Sequence, residues 1–143
     1  EREMQNGQLQ GILGERNRRE PITGSDFELA TQRIEKEFAA VGITERFDES
    51  LLLLAKRLSW ERPLFYQNAK VSLDRNKSAD DGLTELIREK NKWDIRLYDW
   101  ATERFDREIK AEFPDADRRI KRIYRRNKLV GPLIKLRRRL HAH

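Results

Sequence analysis

Apolar residues along this chain recur mostly at helical spacing, and one short stretch breaks the rule. Phe27, Ala30, Ile34 and Phe38 step by three or four positions and predict one face of a helix ending near Phe38. Ser25 and Asp26 offer its N-cap, with Glu28 at the capping-box position relative to Ser25. Val41 and Ile43 then form a β-branched run, so residues 39–43 read as a buried strand. A turn follows, and a new helix opens at Asp48 or Glu49, where carboxylates suit the macrodipole. Its apolar face reads as Leu51, Leu54, Ala55 and Leu58. A strand feeding a helix is the repeating unit of an α/β sheet.

The flanking segments are expected to be helical or irregular. Residues 1–14 carry Gly7, Gly11 and Gly14 among Gln and Leu, which predicts a loop or a frayed short helix. Residues 16–20 are a charge cluster, and 21–24 read as a turn. Periodicity is lost over 59–78, where Pro63 and Phe65-Tyr66 suggest an extended segment followed by a polar, basic loop. The longest helix is predicted over 79–111. One stripe is Leu83, Ile87, Asn91, Asp94, Tyr98, Ala101 and Phe105, and a second is Leu86, Trp93, Leu97 and Trp100. Pro114 forbids its continuation, and Asp115 can cap a helix bearing Ile120, Ile123 and Tyr124. Gly131-Pro132 is expected to break that helix before a last short one with Leu133, Leu136 and Leu140.

Charge divides the chain more sharply than hydropathy does. Of 143 residues, 39% are charged and 37% hydrophobic, enough for one modest core under an ion-dense surface. The net charge is +6. Residues 115–143 hold eleven Lys/Arg against two Asp, or +9, which leaves −3 for the other 114 residues. The expected organisation is therefore a body over 1–111 and a basic helical tail over 112–143. No cysteine is present, which excludes disulfides and thiolate metal sites and fits a cytoplasmic setting. No run approaches the roughly 18 apolar residues of a membrane span. The chain opens at Glu1 with its only methionine at Met4, so it reads as a piece of something longer.

Few motifs carry chemistry. No glycine-rich turn followed by Lys-Ser/Thr exists to cradle phosphate. His141 and His143 stand at the end of the chain, where an ordered metal or catalytic imidazole is not expected, so no metal site is assigned. Asn91 and Asp94, inside an apolar stripe, are expected to tie the long helix to a neighbouring loop or backbone. The loop 67–78 joins cations to hydroxyl and amide donors, the types a phosphate site uses, and otherwise reads as a solvated surface loop. The tail cations cover most of a helix circumference and suit a polyanion: nucleic acid, acidic membrane or sulfated glycan.

Four blocks of the chain, in order and at compatible spacing, resemble the carbohydrate sulfotransferases, the group of the uronyl 2-O-sulfotransferases and their bacterial relatives. The first is residues 6–14, where Asn6, Gln8, Leu13 and Gly14 match and the family's usual arginine is Gln10. The closest is 38–54. The third joins Leu58-Ser59-Trp60 to Pro63-Leu64-Phe65-Tyr66-Gln67-Asn68. The fourth is 87–105, with Asn91, Asp94, Leu97, Tyr98, Ala101 and Phe105. The resemblance spans about residues 6–105. It implies a mainly α chain with one or two short strands, the C-terminal part of a P-loop-like α/β sulfotransferase fold. The implied reaction is transfer of a sulfuryl group from 3′-phosphoadenosine 5′-phosphosulfate (PAPS) to a carbohydrate hydroxyl. Lys70, Ser72, Arg75, Lys77 and Ser78 become donor-binding candidates, and Asn6 and Gln8 substrate-binding candidates. The family's P-loop and general base come from earlier in its chain, so no catalytic residue is assigned and this piece is expected to be inactive alone. The partner expected is a carbohydrate acceptor, including polyanionic glycans. The alternatives are a non-enzymatic helical module binding nucleic acid or another polyanion through its tail, and a helical interaction protein.

Overall fold

The computed structural model describes residues 5–15, 18–61, 63–64, 66 and 81–140, with the side chains of 81 and 131–140 left aside. These residues form six α-helices and one 3-10 turn, and no strand occurs among them. Helix α1 spans Gly7–Leu13 and ends at Gly14, whose φ of 79° is the left-handed conformation that closes a helix most cheaply with glycine. Helix α2 spans Gly24–Glu37. Its cap lies two residues before the expected Ser25. Thr23 Oγ accepts from the Asp26 N–H, and the Asp26 carboxylate accepts from the Thr23 N–H at 2.8 Å. Both Thr23/Asp26 and Ser25/Glu28 satisfy the capping-box pattern. Starting at Thr23 places Ile22 and Phe27 at the hydrophobic-staple positions, and both join one core cluster.

The expected strand at 39–43 is corrected to an extended but unpaired segment. Phe38 (φ −98°, ψ 123°) and Ile43 (φ −108°, ψ 123°) have strand-like backbones, yet no strand pairs with them among the described residues. At Ile43 the ladder groups are taken locally: Ser50 Oγ accepts the Ile43 N–H at 2.8 Å and donates to the Ile43 carbonyl at 3.0 Å. A 3-10 turn over Thr44–Arg46 then leads into α3, Phe47–Arg57. The face α3 buries is also corrected. Leu52, Leu53 and Ala55 are buried, whereas Leu54 and Leu58 are exposed.

The single long helix expected over 79–111 is two helices, α4 (Asp81–Lys90) and α5 (Lys92–Glu112), hinged at Asn91. Asn91 leaves helical geometry (φ −113°, ψ 22°), and its side-chain amide donates to the Ile87 carbonyl, finishing α4. Leu83, Leu86 and Ile87 of α4 are about half exposed. Helix α6 runs Ala116–Leu140 through Gly131-Pro132, where a break was expected. A proline inside a helix removes one backbone bond and crowds the preceding turn. Here the turns on either side carry the helix across it.

Helix α5 is the spine between two core clusters. Leu9 and Leu13 of α1 and Phe27, Ala30 and Ile34 of α2 surround Leu97 in its N-terminal half. Ile43, Leu52, Leu53 and Ile123 of α6 surround Ala101, Phe105, Ile109 and Phe113 at its other end. Val41 and Trp100 pack against both clusters. Full burial of Phe105, Leu9 and Leu53 contributes about 1.5–3 kcal/mol each. Because Ala116, Ile120 and Ile123 also pack here, the first turns of the basic helix belong to the core of the body. Among the described residues no helix is long and apolar enough to cross a membrane.

Candidate functional site

The first and fourth blocks of the resemblance meet at the N-terminus of α5. A helix leaves its first N–H groups without intrahelical partners. Here α1 and α5 supply acceptors to each other. Asn6 Oδ1 accepts from the N–H groups of Trp93 (3.0 Å) and Asp94 (3.2 Å). The Asp94 carboxylate accepts from the N–H groups of Gln8 (3.0 Å) and Leu9 (2.9 Å). Asn91 Oδ1 closes the group by accepting the Asn6 N–H at 3.0 Å. Asn6 is 7% exposed and sits at φ 50°, a conformation that asparagine tolerates better than most residues. Asn91 and Asp94 thus do what their place in an apolar stripe predicts: they tie α5 to another stretch of backbone. The carbonyl oxygen of the Asn6 side chain is committed to the same task. The Gln8 side chain is exposed, and Gln10, at the family's arginine position, donates its amide to the Gln5 carbonyl.

The second block builds a junction at the other end of α5. A β-carbon on Gly42 would lie 3.1 Å from Ser50 Cβ, so glycine lets the extended segment close onto the residue that holds Ile43. Arg46 grips Glu49 through two nitrogens at 2.6 and 2.7 Å, also pairs with Asp106, and stacks 4.8 Å from the Phe105 ring centroid. These partners push the Arg46 pKa up, Glu49 first. Glu45 accepts from the Tyr98 hydroxyl at 3.1 Å, and Phe47 meets Tyr66 edge-on at 5.0 Å. Asp48 receives two phenols, Tyr66 on one oxygen and Tyr124 of α6 on the other. Burial, and then Asp48, push the Tyr66 hydroxyl pKa up.

The Tyr66 N–H donates to Asn127 Oδ1 at 3.3 Å, so the chain entering the basic loop is held against α6. The loop candidates Lys70, Ser72, Arg75, Lys77 and Ser78 lie outside the described residues, as do His141 and His143. Among the described residues no group of three or more His, Cys, Asp or Glu could hold a metal ion.

Beside this junction a cavity of about 160 Å³ opens between α3 and α6, lined by Leu52, Leu64, Arg119, Arg122, Ile123 and Arg126. The sequence marks the tail as basic all round and does not single out these three arginines. The available signal was the spacing of Arg119 and Arg126, four and three residues from Ile123, which puts them beside the buried edge of the helix. Comparison of the chain with family models, curated proteins and solved structures finds no match.

Proposed function

We propose that this chain is the C-terminal part of a carbohydrate sulfotransferase, one that moves a sulfuryl group from PAPS to a sugar hydroxyl. The observation that carries this reading is the interlock of the first and fourth blocks. The resemblance picks out Asn6, and it picks out Asn91 and Asp94 together with their place in an apolar stripe; the three meet across more than eighty residues of sequence in one hydrogen-bonded group. In the second block Gly42 and Ser50 likewise close on each other. Such a scaffold supports a wall of a binding site, because the elements flanking the basic loop are held at Tyr66 on one side and at the Asn91 hinge on the other. The half-exposed Leu83, Leu86 and Ile87 supply the apolar face that a further layer of such a fold would cover.

In this reading the loop Lys70, Ser72, Arg75, Lys77 and Ser78 closes over the donor. Its cations balance charge that develops on the leaving phosphate, and the base and the P-loop belong to preceding chain. The sheet of a P-loop-like fold is part of the proposal, and the acceptor would be a carbohydrate, including polyanionic glycans. The test is sulfuryl transfer from PAPS to a uronate-rich glycan by the longer protein carrying this chain. Lys70→Ala with Arg75→Ala is expected to weaken donor binding at least about tenfold, as loss of two charge-assisted contacts does. A longer protein that neither binds the donor nor transfers sulfate would overturn the reading. The second reading, a module that binds polyanions through its basic helix, is favoured only by the arginines of α6.

A further inference from the structure

Three arginines on α6 share one wall of the α3–α6 cavity. Arg119, Arg122 and Arg126 step by three and four residues, so about 10 Å of one helix edge presents them in a row. Ile123 lies on the same edge, buried, and Leu52 and Leu64 complete an apolar floor. Arg119 is partly committed: it pairs with Asp115 at 2.7 Å and rests 5.5 Å from the Phe113 ring centroid. Arg122 and Arg126 have no carboxylate within ion-pair distance among the described residues, although Arg126 is half-buried. No nitrogen of Arg126 is buried without a partner, so its donors stay open to an anion entering from solvent. Asp48, a carboxylate of the neighbouring junction, is already engaged by Tyr66 and Tyr124. The cavity therefore has cationic donors to spare beside an apolar floor.

We propose that this cavity is a binding site for a sulfate or phosphate monoester on a compact organic body. The anionic group sits among Arg122, Arg126 and Arg119, and the apolar face of the body rests on Leu52, Leu64 and Ile123. Guanidinium forks match the oxygens of a tetrahedral anion in pairs, which an ammonium cannot do. The space of about 160 Å³ is many times what one water needs and is open to solvent on one side, so an anion can enter while the body it is attached to extends outward. A single-stranded nucleic acid is the poorer fit, because the floor of Leu52, Leu64 and Ile123 holds no aromatic ring on which a base could stack. This inference goes beyond the sulfotransferase reading and stands without it, since α6 lies outside the four blocks.

The test is a titration of the full chain with N-acetylglucosamine 6-sulfate, inorganic sulfate and a single-stranded DNA oligonucleotide, followed by NMR of the arginine side-chain N–H signals. The sulfated sugar is expected to shift Arg122 and Arg126 saturably, and to bind at least about tenfold tighter than inorganic sulfate because the floor adds apolar contact. Arg122→Ala alters an exposed side chain and is expected to weaken that binding about tenfold, with Arg126→Lys weakening it through loss of the fork. Lys121→Ala and Lys128→Ala, exposed cations away from the cavity, are expected to leave it within about twofold. Equal loss in all these variants, with DNA the tightest ligand, would show an extended polyanion surface and overturn the proposal. So would the absence of saturable shifts with the sulfated sugar.

Discussion

Both ends of α5 sit in apolar clusters but are held by different polar devices. At the N-terminal end, side-chain oxygens of Asn6 and Asp94 accept from backbone N–H groups that would otherwise lack partners. At the C-terminal end, charges meet charges: Arg57 reaches Glu108 and Glu112, Lys56 reaches Glu112, and Arg46 reaches Asp106. Arg57 and Glu112 side chains keep 35% and 18% of their exposure, so water and salt screen much of that attraction. Capping bonds serve donors with no alternative and are short-ranged, so salt touches them little. The lesson is that the smaller polar group, at α1, fixes the register of the spine. The larger ionic group at α3 fastens surfaces that Leu53 and Phe105 already hold.

The largest effects should therefore fall at the N-terminal end. Asn6→Ala removes two caps and leaves alanine at φ 50°, and should cost about 2–3 kcal/mol in urea unfolding. Asn6→Gly loses the caps but relieves the backbone, so it should cost about 1 kcal/mol less than Asn6→Ala. Equal instability of the two variants would show that the left-handed backbone at Asn6 carries no strain. At the junction, Ser50→Ala strips the buried Ile43 N–H of its acceptor and should cost about 1–3 kcal/mol by the same measurement.

Helix α2 gives an effect read by pH. Hydrogen bonds from Thr23, then Arg18, hold the Asp26 pKa at about 2, below its ordinary value of 3.8. A folded-state pKa lowered in this way adds stability above the unfolded value and loses it as pH falls toward the folded one. Between pH 3.8 and about 2 the wild type should lose thermal stability faster than Asp26→Asn. Parallel curves would remove Asp26 from the cap. Smallest of all, Arg57→Ala should cost under about 1 kcal/mol, and the difference should shrink as salt is added. A large, salt-independent loss would erase the contrast between the two ends.

Much of this arrangement was legible along the chain where the local pattern had one solution. The face of Phe27, Ala30 and Ile34, the stop before Pro114 and the tying role of Asn91 and Asp94 all follow from spacing and the cost of buried polar groups. Four consecutive leucines at 51–54 carry no period, so neighbours chose Leu52 and Leu53 over Leu54. The extended 39–43 segment has strand-like residues, but pairing needs a partner, and Ser50 takes that place at Ile43 by reaching back seven residues. The hinge at Asn91 was hidden because the apolar steps run through it unchanged. Only the Asn-x-x-Asp spacing, read as a possible helix start, signals a break there. The arginines over the α3–α6 cavity were masked by the uniform charge of the tail.

Whether one shared device docks α1 to α5 is measured directly by a double-mutant cycle on Asn6→Gly and Asp94→Ala. Either change loosens the same docking, so the double variant should cost at least about 0.5 kcal/mol less than the two single losses together. Strict additivity would mean two independent caps, and the interlock of the first and fourth blocks would no longer stand.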